Sequence, residues 1–503
     1  MNVRNDIRGA AVCGAALLVL VTGAGTGSAQ IVLTIDKAIE TAMEKSPTIQ
    51  HQRMTLEQSR ESLNAQNAAL KSNFTLRLNP FSRNQDRKFD TRYSDWYTTW
   101  TESSTSTFTI SQPIVLTDGT FSIQNQTNWQ NSFSELAKPQ KNRAYTNALT
   151  LNLSQPIFTY NRTKLSLRAL ELNIENTSIQ YALQMLSLER QVKQAFYGVY
   201  QDKSSLDITR DEYANQEKSY EIIKNKVDAG LSAKEELYQA ELNLASSKAS
   251  LENRQVTLEN SLESFKQLLG LSLDEQIIIQ TDITYQPVEV SLERAIDHAL
   301  KTRMELRQRQ ISIENAMNSI ITTSALNEFK GAVTLSYGIT GTDEKFGDIY
   351  KKPVNKQTIG LSLDIPLWDW GEKKSRVKAA QISLKSSELS FDEEKTNIVL
   401  AIRQAYRSLN NMVSQIEIAR QNITNAERTY DINLERYKNG ELTSMDLNLY
   451  QTQLSQKRTS LTDAQINYKL GLLNLKILTL WDFEKNAPVV PDMGADILQS
   501  AQK

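Results

Sequence analysis

Two histidines, His51 and His298, are the first residues to weigh for chemistry, because imidazole is both a common metal ligand and a common general base near neutral pH. Both fall in what reads as the first helix of their respective halves of the chain, so the two do not meet. Neither a zinc site nor a Ser/Cys–His pair follows from that placement. The one cysteine, Cys13, lies in an apolar N-terminal run, so the rest of the chain has no thiol for catalysis, crosslinking or metal binding. The glycine-containing stretch GITGTDEKFGD (338–348) ends a strand-like segment without opening a phosphate-binding helix and reads as a loop. No catalytic, cofactor-binding or metal-binding residue is therefore expected, and no enzyme. With 57 basic and 58 acidic residues, no basic face is available to neutralise nucleic-acid phosphates.

What remains is architecture. Residues 1–29 read as a secretory signal: Arg4 and Arg8 precede an apolar run at 10–21, and GSA at 27–29 offers small residues for cleavage before Gln30. The run is too short to span a bilayer comfortably. No later stretch has eighteen consecutive apolar residues, so an exported chain of this kind is either soluble or crosses an outer membrane as strands.

The chain is duplicated. LTIDKAIETAM (33–43) matches VSLERAIDHAL (290–300) at an offset of 257, and LNLSQPIFTYN (151–161) matches LSLDIPLWDWG (361–371) at 210. The difference places a 47-residue insertion between about 50 and 150. The offset stays at 210 through QVKQAFY (191–197) and AIRQAYR (401–407), and through Gly230 and Gly440. A long alignment without gaps indicates continuous helix, where an insertion would rotate every later side chain off its face. Val192, Val199, Leu206, Tyr213, Tyr220 and Val227 recur every seven residues, as do Ile402, Leu409, Ile416, Ile423, Tyr430 and Tyr437. Beyond the glycines the heptad resumes, with Leu244 and Leu454 at matching positions. Such repeats specify left-handed coiled-coil packing. Each half is thus a long helix, a glycine turn and a long helix back.

Strand signals alternate at 73–80, 147–156, 331–340 and 358–368, with one apolar and one small or polar face. Segments of that kind suit a membrane β-barrel; a strand pair in a soluble sandwich is the plainer reading, which the signal sequence and the giant helices disfavour. Four strands cannot close a barrel, and open edges are not tolerated in lipid, so several copies must cooperate.

The duplicated strand–helix–helix unit, LSQPIF at a strand-to-helix junction, and RYKNGELTSMDLNLYQTQL around the second glycine together resemble the TolC-type outer-membrane efflux proteins. The resemblance covers Leu33 to about Trp481. It implies a mainly α fold with membrane β: a homotrimer sharing one β-barrel in outer-membrane lipid, continued by a long α-helical coiled-coil tunnel in the periplasm of a Gram-negative bacterium. The domains expected are a first repeat at 30–281, a second at 282–481 and a tail at 482–503. The implied function is the exit duct of a tripartite export system, passively conducting small molecules, with a periplasmic adaptor and an inner-membrane pump as partners. The same resemblance is compatible with an exit channel for type I protein secretion. A secreted coiled-coil adhesin would explain the heptads alone.

By that resemblance the tips Ala229, Gly230, Leu231, Ser232, Ala233 and Asn439, Gly440, Glu441, Leu442, Thr443 dock the adaptor. Asp446, its first-repeat counterpart Glu236 and Tyr437 are placed at the pore aperture. Charged residues such as Glu235, Glu236 and Glu441 also suit a solvated helix start, favoured by the helix dipole. Leu449 stands where the family has a second acid, and Leu442 where its best-known members have a latching arginine. The first half also departs from the family. TFTISQPIV (107–115), the turn TDG (117–119) and TFSIQNQTNW (120–129), between polar loops at 82–104 and 132–145, form either two further spanning strands or an elaborated extracellular loop. Trp96, Tyr97, Trp100, Trp129 and Tyr145 accordingly serve an interfacial belt or pack loop on loop.

Overall fold

The computed structural model describes residues 31–135, 140–280 and 285–494. The stretch read as a signal sequence, 1–29, and the end of the C-terminal tail lie outside the described residues. A short strand β1 (Ile31–Leu33) leads into α1 (Ile35–Lys45), whose N-terminus is capped by the Thr34 hydroxyl. The helix α2 (Pro47–Ala69) starts afresh on a proline, which suits a first helical turn because its missing N–H has no partner there anyway. His51 is therefore in a second helix rather than the first, because the chain breaks at Ser46.

Four antiparallel strands follow: β2 (Asn73–Asp90), β3 (Asp95–Ile114), β4 (Gly119–Ser134) and β5 (Gln140–Ile157). The long hairpin of α3 (Arg162–Asp228) and α4 (Lys234–Leu269) comes next. The second half repeats the plan. A strand β6 (Ile277–Ile279) pairs in parallel with β1, then come α5 (Leu292–Thr302), α6 (Met304–Ser324), β7 (Lys330–Asp343), β8 (Val354–Asp364), α7 (Glu372–Lys438) and α8 (Ser444–Thr479). A small ribbon of β9 (Trp481–Asp482) and β10 (Ala487–Pro488) closes the described chain. Both α3 and α7 have 67 residues, and both α4 and α8 have 36. At 1.5 Å per residue the longer rods reach about 100 Å.

One sheet holds six strands in the order β2-β3-β4-β5-β7-β8. The insertion thus contributes two full strands, β3 and β4, continuous with their neighbours. Much of the polar stretches 82–104 and 132–145 is strand rather than loop: β2 and β3 pair as far as Asp90 and Asp95, and β4 and β5 as far as Ser134 and Gln140. Thr, Ser, Asn and Gln on both faces hide the alternation there, while the ladder itself supplies the pairing. Likewise GITGTDEKFGD begins as strand, since β7 runs to Asp343 before a 3₁₀ turn at Phe346–Asp348.

Register sorts the two faces. One row reads Phe74, Ile110, Ile123, Leu151 and Tyr337 across five strands; the adjacent row on the opposite face reads Thr75, Thr109, Gln124, Thr150 and Gly338. An apolar outside and a polar inside are what a barrel wall in lipid requires. Among the described residues no helix is long and apolar enough to cross a membrane.

The sheet is fixed to the rods at one end. Asn161, capping α3, donates through Nδ2 to the carbonyls of Val115 (2.7 Å) and Leu116 (3.1 Å), and Thr163 donates to the Asp118 carboxylate. The β3–β4 turn therefore faces the helices, and the β2–β3 turn is remote from them. In the helical layer α3 packs against both α4 and α8, and α8 against α7, giving the order α4–α3–α8–α7. The shorter helices α2 and α6 lie along α3 and α7. Heptad positions fill the seams: Val192, Phe196, Ile402, Leu409, Ile416 and Tyr468 are almost fully buried.

Candidate functional site: the hairpin tips

Each long hairpin turns on a glycine whose conformation explains its presence. Gly230 has φ +72° and Gly440 has φ +82°. At the first, Leu231 N–H donates to the Lys226 carbonyl (2.8 Å) and Gly230 N–H to that of Val227 (2.9 Å). At the second, Glu441 N–H donates to Arg436 (2.9 Å) and Gly440 N–H to Tyr437 (3.0 Å). Both are Schellman motifs, which use carbonyls the ending helix would leave orphaned. No atom lies within 4 Å of where a Cβ would sit at either glycine, so the constraint is the left-handed backbone, not crowding.

The two return helices start differently. Thr443 caps α8 in a full capping box: its Oγ1 accepts from Asp446 N–H (3.2 Å), and the Asp446 carboxylate accepts from Thr443 N–H (3.2 Å) and Oγ1 (2.7 Å). In α4 the cap residue is Ala233, with no side-chain acceptor, and the Ser232 hydroxyl donates to Glu236 instead. Asp446 and Glu236 are therefore matched in position but not in local bonding.

Behind the turns the hairpins meet. Ile223, Ala240, Tyr437 and Leu447 form a buried cluster flanked by Leu237, Tyr430 and Leu442. Tyr437 is 3% exposed and its hydroxyl has no hydrogen-bond partner. Burial, and secondarily the Glu236 carboxylate, push its phenol up to about 12. The Lys226 ammonium lies 5.1 Å from the Tyr437 ring centre and 3.4 Å from the Tyr437 carbonyl oxygen. The Glu236 carboxylate is thus near enough to act on the Tyr437 phenol, whereas no described contact joins Asp446 to either. Leu442 packs into the cluster in place of a charged latch, and Leu449 is exposed. The remaining tip residues are largely exposed, Leu231 at 80%.

Sequence reasoning missed Lys226, and it missed two polar ties in the α3–α8 seam. Gln216 donates to Asn448 Oδ1 (2.6 Å), and Gln451 donates to the backbone carbonyl of Glu212 (3.0 Å). Both glutamines are buried. Gln216 follows the heptad position Tyr213 by three residues, so a polar side chain at a seam position was the available signal. His298 has a structural place: its Nδ1 is 2.8 Å from the Thr479 carbonyl oxygen and its ring packs edge-on to Trp481. Among the described residues no cluster of His, Cys, Asp and Glu could hold a metal ion.

A family model described as outer membrane efflux protein matches residues 111–271 and 295–479. The outer membrane protein TolC of Escherichia coli (strain K12) is 22% identical over 339 residues, covering 65% of this chain and 68% of that protein. Toxin and drug export protein A of Aggregatibacter actinomycetemcomitans is 20% identical over 295 residues, covering 58% and 61%. Among solved structures, the Campylobacter jejuni CmeC outer membrane channel shares the fold with a TM-score of 0.68 at 14% identity, covering 93% of this chain and 89% of that one.

Proposed function

Since the chain belongs to the outer membrane efflux protein family, and is an outer-membrane exit duct for tripartite export whose helices stand in the periplasm, we propose that three copies close into one passive conduit. The observation that carries this is that both layers of the single chain are open on both sides. The sheet ends in unpaired edges at β2 and β8, and the helical layer ends in α4 and α7. Both end helices carry exposed apolar side chains, Tyr238, Leu242 and Val256 on α4 and Ile418 and Ile432 on α7. Unpaired edges cannot persist in lipid, and a next copy placing β8 beside β2 and α7 beside α4 covers both helical edges and the part of the β2 edge that β8 reaches. The equal lengths of α3 and α7, and of α4 and α8, support the duplicated plan and a near-regular ring of twelve long helices.

Six strands from each of three copies make an eighteen-stranded barrel. With strands about 4.8 Å apart and tilted about 40°, its backbone diameter is about 36 Å, against about 24 Å for twelve strands. The polar inner face then bounds a water-filled pore. The cargo we assign is small molecules collected at the tips, where residues 229–233 and 439–443 dock an adaptor that joins the duct to an inner-membrane pump. Export of polypeptide by the same route is the second reading, favoured by the barrel width.

The test is isolation from outer membranes in detergent, with mass measured by light scattering and the barrel imaged by electron microscopy. A trimer with a ring near 36 Å is expected. A soluble monomer sinks the duct, and a trimer with a ring near 24 Å sinks the six-strand contribution.

A further inference from the structure

The strands β2 to β5 outrun the membrane. Along β3, ten residues separate Ile114 from Ser104, whose cross-sheet row contains Trp129 and Tyr145. At about 3.4 Å per residue and a tilt near 40° that is about 26 Å of height, close to the apolar band of such barrels, so Trp129 and Tyr145 stand at the outer interface. β3 continues nine residues further to Asp95, whereas β7 ends at Asp343, which lies opposite Tyr145.

On the outward face, the row immediately above Trp129 and Tyr145 is Arg83, Glu102, Asn131 and Arg143. Higher rows bring Trp100 beside Phe133, stacked at 5.0 Å, and Arg87, whose guanidinium lies 5.5 Å from the Trp96 ring. Among the described residues Arg83, Arg87 and Arg143 pair with no carboxylate, and Glu102 is already bonded to Asn131 (3.1 Å). The inward face of the same extension differs: Asp86, Lys88, Asp90 and Asp95 give it an acidic balance, with Lys88 held 3.7 Å from Asp86. Solubility alone would not segregate charge by face. Guanidinium groups beside aromatic rings, at headgroup height and on the lipid side, match a phosphorylated sugar headgroup through bidentate phosphate contacts and ring stacking.

We propose that the outward face of the β2–β5 extension binds the phosphorylated glycolipid of the outer leaflet, through Arg83 and Arg143 at the phosphate level and Arg87 above. This rests on the outer-membrane reading. The full-length protein, in detergent, is titrated with diphosphoryl lipid A, its monophosphoryl form and phosphatidylglycerol, with bound lipid read by native mass spectrometry. Diphosphoryl lipid A is expected to bind in preference to both others. Arg83→Gln/Arg143→Gln should lower its affinity by about tenfold or more, and Arg83→Lys/Arg143→Lys by less, because lysine keeps the charge without the fork. Heat-modifiable assembly of each variant controls for folding. Equal binding of phosphatidylglycerol, or undiminished lipid A binding by the double glutamine variant, overturns the proposal. Failure of the wild-type protein to fractionate with outer membranes overturns the duct itself, a separate outcome.

Discussion

Lys226, on the last turn of α3, holds its ammonium 5.1 Å from the ring of Tyr437, on the last turn of α7. The two residues belong to different hairpins and tie them together just behind the turns, where Leu442 offers no charge. Lys226→Met should therefore loosen the tip and raise resting conductance in planar bilayers, while leaving trimer yield unchanged. Conductance equal to wild type would assign the contact to packing alone.

Tyr437 supplies a pH dependence. Its phenol is raised to about 12, chiefly by burial, with Glu236 adding to it, so the fold holds the neutral form. The resulting stability is whole below the ordinary phenol value of about 10 and is lost as pH climbs through about 12. Ultraviolet titration should show a late-ionising group of phenols, to which buried Tyr197 also belongs, with one fewer in Tyr437→Phe and one moved down in Glu236→Gln. Coincidence of all phenols near 10 would contradict the burial.

The glycine turns give a conformational prediction. Gly440→Val places a β-branched residue at φ +82°, costing about 1–2 kcal/mol at the tip. Adaptor crosslinking at residues 439–443 should fall while the trimer persists, and Gly230→Val should act likewise at 229–233. Crosslinks unaffected by either change would move the docking surface elsewhere.

Leu454, 8% exposed in the helical seams, separates packing from exposure. Leu454→Asp buries an unpaired charge, at several kcal/mol, and should abolish most trimer. Leu244→Asp, at a half-buried position, should cost less. Equal yields would mean the two helices are covered alike in the assembly.

Asp446 helps to cap α8, and one substitution tests the aperture role proposed for it apart from the cap. Asp446→Asn keeps an oxygen for the capping box and removes the charge. Thermal stability should stay near wild type, whereas block by multivalent cations from the periplasmic side should weaken about tenfold or more if each lost charge is worth roughly a kcal/mol. Unchanged block would leave Asp446 with the cap alone.

The helical half of the fold was legible because heptad spacing survives over dozens of residues, and the two Schellman glycines broke it at matched places. The strands were legible only where Leu, Ile and Val alternate with small residues, as at 147–156. Above the membrane, β2 and β3 carry Ser, Thr, Asn and Gln on both faces, so their pairing left no periodic trace. Tyr437 and Glu236 were singled out only through resemblance. Lys226 was not, since its contact joins residues from separate hairpins that no local pattern connects. The capping role of Asp446 is encoded in its three-residue spacing from Thr443, a signal that its aperture assignment does not use.

β2 has 18 residues and β8 has 11. In a closed ring β8 of one copy cannot cover the whole edge of β2 in the next, and the bulge at Asn79–Ser82, with Pro80 inside it, turns that edge aside near the membrane surface. The outer part of the wall is then three separate blades with a window between each pair. In the proposed trimer, cargo leaving the barrel would disperse sideways through these windows, close to the cell surface, instead of being carried to the top of a sealed spout.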